Sequence, residues 1–244
     1  MPAPLLPPVY SLQAIAARAD PLAVAIAAAA SAEDGSFFLA PRPDRLDCAI
    51  LLHPEVPLPA ALWVVHVAMV GLGDAIGALA PPVVAVQFGW PDRLLVNGAL
   101  AGGLRLATAE PELPGALPAW QVLAVTIAVT AAPDGAEPGL RRDTTTLHDE
   151  GGVDIEPTAL AESFSRHFLA WVHRWQEDGH APVAETWLAR AAGYRERIDW
   201  ELPGLSLHGR LLGLDDEGGL LVEADDGHRA VSLAECLRQP SWAL

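Results

Sequence analysis

The chain has no lysine. All 15 of its basic residues are arginine, set against 31 acidic ones, and the formal charge is −16. A surface of that sign repels phosphate, which excludes nucleic acid as an expected partner. Cysteine is nearly absent too: Cys48 and Cys236 are too few for a disulfide framework or a zinc site, so no metal centre is expected. Charged residues make up 19% of the chain and hydrophobic ones 51%, the balance of a globular chain rather than a disordered one. The start of the chain lacks a basic stretch followed by an apolar core and a small-residue cleavage site. No secretory signal is therefore expected, and the reading is a reduced, cytoplasmic protein. The longest apolar run, Leu58 to Ala80, could span a bilayer by length. It carries His66 and Asp74 and has no flanking basic residues, so a buried core helix is expected and no membrane.

The elements that are present alternate in type. Pro2 to Pro8 reads as an extended arm, because proline neither sustains a helix interior nor donates to a sheet ladder. Asp20-Pro21 supplies an N-cap and a first-turn proline for a short Ala-rich helix to about Ala32. Ser36 to Ala40 and Leu46 to Leu52 read as strands around a turn at Pro41 to Asp44, before the long apolar helix. Val83 to Phe88 is a further strand, and Arg93 to Val96 with Ala99 to Ala107 form a hairpin about Asn97-Gly98, whose residues both tolerate positive φ. Trp120 to Thr130 is a long apolar strand, and Pro133 to Arg142 a polar loop. Helices follow from Thr158, read as the cap, to about Glu177 and from Pro182 to Ala192. From Leu205 the texture changes to short strands with tight turns at Asp215 to Gly218 and Asp226-Gly227, which suits a small SH3-like barrel. The order of elements predicts an α+β core with a β appendage.

Four motifs occur in a specific order. The first is Gly89-Trp90-Pro91-Asp92-Arg93-Leu94-Leu95-Val96-Asn97-Gly98-Ala99-Leu100-Ala101-Gly102-Gly103. The second is Thr144-Thr145-Thr146-Leu147 with Glu150-Gly151, and the third the run Phe164 to Trp187 with Gly179 between. The last is Gly209 to Leu221. The first resembles the central signature of bacterial biotin protein ligases, Trp-Pro-Asn-Asp, a strand, a turn, then Lys-Leu-Ala-Gly-Ile. The others resemble that family's Ala-Thr-Ser-Leu segment, the end of its catalytic domain and its C-terminal barrel. The resemblance to the biotin/lipoate protein ligase family implies a mixed, mainly antiparallel sheet backed by helices over residues 1–200. It also implies a small SH3-like C-terminal domain over 201–244. By the same resemblance the reaction is activation of biotin or lipoate by ATP to an acyl-adenylate, and acyl transfer to a lysine of a biotinyl or lipoyl carrier domain.

That chemistry joins two anions, a carboxylate and a triphosphate, and needs positive charge or convergent N–H groups where negative charge accumulates. In the family a Gly-Arg-Gly-Arg-rich loop and the hairpin lysine supply them. Here Pro41-Arg42-Pro43-Asp44-Arg45-Leu46-Asp47 stands at the loop, with no glycine, and Ala99 stands at the lysine position. The Trp-Pro-Asn-Asp element is a residue short, so Asp92 can replace either the family Asn or its Asp, but not both. Arg105 shares a face with Ala99 by strand parity but lies roughly 20 Å along. Arg93, on the facing strand, is better placed, with a surface arginine as its plainer reading.

The candidate ligand-binding set is Trp90, Asp92, Arg93, Asn97, Gly98, Gly102 and Gly103. Trp90 reads equally as core, Asn97-Gly98 as simple hairpin chemistry, and the Gly102-Gly103 pair as close approach by a ligand or another backbone. A nucleophilic Cys48 is disfavoured, since His53 on the same strand points to the opposite face. His167, Trp171 and Trp175 share a helix face while His173 lies off it, the spacing of a packed helix rather than of metal ligands. The acidic run Asp215-Asp216-Glu217 reads as a solvated turn. The expected function is binding of a small acyl or biotin-like ligand, or docking of a carrier domain, without the ATP step. A ligase or acyltransferase with a rearranged site and a purely structural module are the alternatives.

Overall fold

A computed structural model describes residues 3–109, 113, 115–131 and 143–244; the polar loop expected at Pro133 to Arg142 lies outside them. Alternation of apolar residues builds the first layer. Strands β1 (Ser11–Ala14), β2 (Ser36–Leu39), β3 (Arg45–Leu52), β4 (Val86–Gly89), β5 (Arg93–Val96), β6 (Ala99–Thr108) and β7 (Gln121–Ala128) form one sheet in the order β1-β2-β3-β7-β6-β5-β4. Strand β1 follows the proline-rich arm and pairs with β2 in parallel, an addition to the strands that the sequence suggests. The other pairs of this sheet are antiparallel, as expected for a mixed, mainly antiparallel α+β sheet.

Residues of one parity, among them Leu46, Cys48, Ile50, Leu123, Val125 and Ile127, face the main core. The apolar run covers it, as α2 (Leu58–Ala61) and α3 (Val64–Leu79), with a break at Leu62 and Trp63. Long and apolar enough to cross a membrane, this segment has 78% of its most apolar window buried within the protein. Its two polar residues are bonded: Asp74 accepts from Trp171 Nε1 and Arg190, each at 2.7 Å, and His66 Nε2 donates to Gly218 O at 2.9 Å, while His66 Nδ1 has no partner among the described residues. Helix α4 (Pro157–Asp178) packs on α3, and α5 (Ala181–Ala189) on both. Glu156, not Thr158, is the N-cap of α4, because Pro157 occupies the first helical position and pulls the boundary upstream. The other parity faces a smaller cluster in which Ala25 of α1 (Pro21–Ala28) and its C-cap Ala29 lie against Ala49, Leu51, Val122 and Ala124. Asp20 caps α1 by accepting from Leu22 N at 3.2 Å.

The second sheet holds β8 (Arg197–Leu202), β9 (Leu205–Leu214), β10 (Leu220–Ala224) and β11 (Gly227–Val231), antiparallel in sequence order, with a short α6 (Leu233–Cys236). It accounts for the expected small β appendage, but its first strand, β8, begins at Arg197, ahead of the expected boundary at 201 and the texture change at Leu205, because it pairs along its length with β9. The β9–β10 turn does more than the expected solvated turn. Asp216 and Glu217 expose their side chains, but the backbone is inserted against the first sheet's core. Trp63 Nε1 donates to Asp216 O at 2.8 Å, and Gly218 O accepts from both His66 Nε2 and Trp90 Nε1, the latter at 3.1 Å. A buried carbonyl with two donors is fully satisfied, so the acidic turn fastens one sheet to the other.

One backbone feature decides which side chains share a face. In the β5–β6 hairpin, Arg93 pairs with Gly103 and Leu94 with Gly102, but Leu95 pairs with Leu100, so Ala101 is the extra residue of a bulge. Simple alternation, which puts Arg105 on the face of Ala99, therefore fails. Ala99 pairs with the core residue Val96, whereas Arg105 pairs with Ala124 on the opposite face. The bulge depends on Gly102, whose φ is +153° and whose absent Cβ would collide with Thr126 O. Gly102→Ala is expected to cost about 1–3 kcal/mol by overpacking and backbone strain together, read as a lowered calorimetric Tm. An unchanged Tm would mean that the bulge tolerates an ordinary residue.

Candidate functional site

The face opposite the main core carries a polar row built by register. Asp47 on β3 pairs with Thr126 on β7, Thr126 with Gly103 on β6, and Gly103 with Arg93 on β5. Directly cross-strand residues project to one side, so these positions line up across the sheet. Strand β7 lies between β3 and the hairpin and fills the space between them. Asp47 is buried, accepts from Thr126 Oγ1 at 3.1 Å and lies 2.8 Å from Arg42 Nε. Burial raises its carboxyl above the usual range, while Arg42 and the Thr126 hydroxyl oppose the rise.

The short Pro41–Asp44 turn and the first residue of β3 each place an arginine beside an aspartate. Arg45 pairs with Asp44 at 2.7 Å, and Asp44 O caps the end of β7 by accepting from Val129 N and Thr130 N. Arg105 reaches Asp20 with both terminal nitrogens, at 3.0 and 2.5 Å, and holds that carboxyl below the ordinary range. Three arginines and three aspartates thus neutralise one another around the polar row.

The residues of the Trp-Pro-Asp segment divide. Trp90, 1% exposed, packs in the main core and bonds to Gly218; the peptide that follows it is cis. Asp92 and Arg93 hold the C-terminal tail. The Asp92 carboxylate accepts from Ser241 N at 3.0 Å and from the Ser241 hydroxyl, and Arg93 Nε donates to Ser241 O at 3.0 Å and Oγ at 2.9 Å. Arg93 also reaches Glu201 O at 3.2 Å. Burial pushes Asp92 up to about 6 against the Ser241 hydrogen bonds. Trp242 Nε1 donates to Leu104 O at 3.0 Å, and a Cβ on Gly103 would strike both that indole and Asp92 O. Close approach at Gly102 is by the β7 backbone, and at Gly103 by backbone and indole.

Asn97 and Gly98 take φ of 49° and 88°, the expected hairpin turn. Asn97 does more than turn the chain. Its amide accepts from Ala85 N at 2.9 Å and donates to Glu150 at 2.8 Å, which ties the 144–151 segment to the hairpin. Cys48 is wholly buried, and burial drives its thiol well up, so it is a core residue and not a nucleophile. Sequence reasoning misses Asp47, Thr126, Ser241 and Trp242. The first two sit on apolar-looking strands, and nothing local shows that residues 241 and 242 return to the hairpin.

A family model described as the biotin/lipoate A/B protein ligase family matches residues 6–189, and one for the biotin protein ligase C-terminal domain matches 196–238. The chain belongs to the biotin/lipoate A/B protein ligase family. It is 30% identical over 190 residues to a biotin–[acetyl-CoA-carboxylase] ligase of Paracoccus denitrificans, covering 76% of this chain and 77% of the relative. It is 24% identical over 192 residues to the bifunctional ligase/repressor BirA of Bacillus subtilis, and spans 56% of that longer protein. Among solved structures, a biotin protein ligase-like protein of unknown function from Silicibacter sp. TM1040 superposes with a TM-score of 0.86 at 33% identity, over 97% of this chain and 100% of the other. The biotin protein ligase of Aquifex aeolicus, at 14% identity, shares the fold with a TM-score of 0.73 over 91% of this chain and 95% of its own. Family membership thus covers the segments that carry the sequence resemblance, together with a second domain of the family's kind.

Proposed function

We propose that this member of the biotin/lipoate ligase family binds a small acyl or biotin-like carboxylate and does not activate it with ATP. The observation that carries the reading is charge pairing. Among the described residues of the polar face, Arg42, Arg45 and Arg105 each hold an aspartate, and Ala99, at the family's lysine position, pairs with the core residue Val96. A triphosphate brought there would have to break ion pairs before it met these cations, and a partly buried pair costs more to break than an exposed one. Arg93, in the same row and bonded among the described residues only to neutral oxygens of Ser241 and Glu201, and the buried Asp47–Thr126 pair remain to meet a ligand's carboxylate, ring or amide. A reduced, cytoplasmic setting with two free cysteines is part of the proposal.

Calorimetric titration with biotin, lipoate, octanoate and ATP, each alone, tests it. One of the three carboxylates should bind and ATP should not, and no pyrophosphate should appear with any pair. Unpairing the arginines with Asp20→Asn and Asp47→Asn together should raise ATP affinity by at least about tenfold, some 1.4 kcal/mol. ATP-dependent pyrophosphate release by the unaltered protein with biotin or lipoate would sink the proposal.

A second reading is an active ligase or acyltransferase with a biotinyl or lipoyl carrier domain as partner. The 30% identity to the Paracoccus denitrificans ligase favours it. It requires a mass increment on a carrier domain after incubation with a donor. The formal charge of −16 would slow encounter with an acidic carrier, most at low salt.

A further inference from the structure

We propose that Trp242, from the C-terminal tail, is a fixed wall of the ligand site and selects a ring-bearing carboxylate over a straight-chain one. The proposal rests on the ligand-binding reading above and adds to the site a residue far from the family's central motif.

The geometry is that of a built-in part. Gly103 occupies the middle of the row Asp47, Thr126, Gly103, Arg93, and Trp242 lies where a side chain on Gly103 would stand. The glycine thus leaves a notch in the face, and the tail fills it with an indole. The ring is pinned by its N–H to Leu104 O at 3.0 Å. One residue upstream, Ser241 is clamped from two sides, its N–H and hydroxyl by Asp92 and its carbonyl by Arg93. With the Ser241 N–H, hydroxyl and carbonyl and the Trp242 indole N–H all bonded, the tail is anchored rather than loosely laid on the surface. Trp242 is only partly buried, and its indole lies on the side of the sheet that carries the Asp47–Thr126 pair. A flat, polarisable ring offers a bicyclic or dithiolane ligand a stacking and sulfur–aromatic partner, and offers a linear chain much less. Asp92 and Arg93 then act as positioning residues: they hold the tail, and through it the wall.

Calorimetry with biotin, lipoate and octanoate on the full chain, on Trp242→Ala and on Trp242→Phe tests this. Trp242→Ala should weaken biotin or lipoate binding by about tenfold or more and leave octanoate within about twofold, so the selectivity ratio collapses. Trp242→Phe keeps a ring and should retain most of the selectivity. Circular dichroism and Tm identify variants that fold, and a merely structural tail would move all three ligands together. Tighter binding on Trp242→Ala would make the tail a plug, and unchanged or uniformly weaker binding would make it a structural anchor; each overturns the inference alone. If the unaltered protein binds none of the three, the proposed function falls and the inference with it.

Discussion

Trp90→Ala should lower the free energy of unfolding by roughly 3–5 kcal/mol, the range for removing a buried tryptophan. The loss has two parts. Trp90 is 1% exposed in the main core, so alanine leaves a cavity that Phe88, Leu94 and their neighbours cannot fill without moving off their rotamers. It also removes one of the two side-chain donors that Gly218 O receives, leaving only His66 on that carbonyl. Trp90→Phe keeps most of the packing and loses the hydrogen bond, so it should cost less, about 1–2 kcal/mol. Urea unfolding followed by circular dichroism measures both. Amide exchange should show residues around 215–222 opening first in the alanine variant, because the turn is the fastening between the sheets. A loss below about 1 kcal/mol for Trp90→Ala would mean that the indole is not packed as described.

The second large effect is an offset in pH dependence that single variants should unmask. His66 is wholly buried, its Nδ1 has no partner, and burial lowers its pKa from 6.5 to about 4. The folded state thus favours neutral His66, and the stability this group contributes is present above pH 6.5 and is lost as the pH falls towards 4. Asp92 behaves oppositely. Raised from 3.8 to about 6, it is held protonated in the fold where the unfolded chain would release the proton, so its contribution is present below pH 3.8 and is lost as the pH rises through 6. Each shift corresponds to an effect on the order of 3 kcal/mol. Between pH 4 and 6 the two slopes oppose each other. The stability of Asp92→Asn minus that of the unaltered protein should therefore increase across that window, and the stability of the unaltered protein minus that of His66→Gln should increase as well. Urea midpoints measured at closely spaced pH values read both differences. Two flat difference curves would show that neither group changes its proton affinity on folding.

Both effects concern residues whose roles are split between what a sequence displays and what it conceals. A Trp-Pro-Asp motif is compatible with a ligand contact or with core packing; the fold makes Trp90 core and fastens to it a turn that is distant in sequence. Asp92 and Arg93 are legible as a polar pair beside the hairpin, yet their observed partner is Ser241. No local pattern announces that contact, because a polar side chain is satisfied equally well by water, a ligand or a distant backbone.

The class of the protein and the order of most of its elements, though not β1 or β8, were written in local signals. Period-two alternation, the Asn97-Gly98 turn, the Asp20-Pro21 cap and the change of texture near Leu205 follow from the conformational preferences of neighbouring residues. The absence of lysine is equally plain in the chain, and so is the shortness of the Pro41–Asp47 loop. Which side chains meet is a different matter, and it took the packed molecule to decide it. The bulge at Ala101 turns Arg105 away from the face of Ala99, since one extra residue inverts the parity of everything beyond it. Chain return brings Arg42, Arg45 and Arg105 each to an aspartate, the acidic turn to the core, and Trp242 to the notch at Gly103. The loss of lysine is thus a property of the composition, but the neutrality of these three arginines is a property of the fold. Charge can be counted along a chain, whereas ion pairing depends on distances that only packing sets.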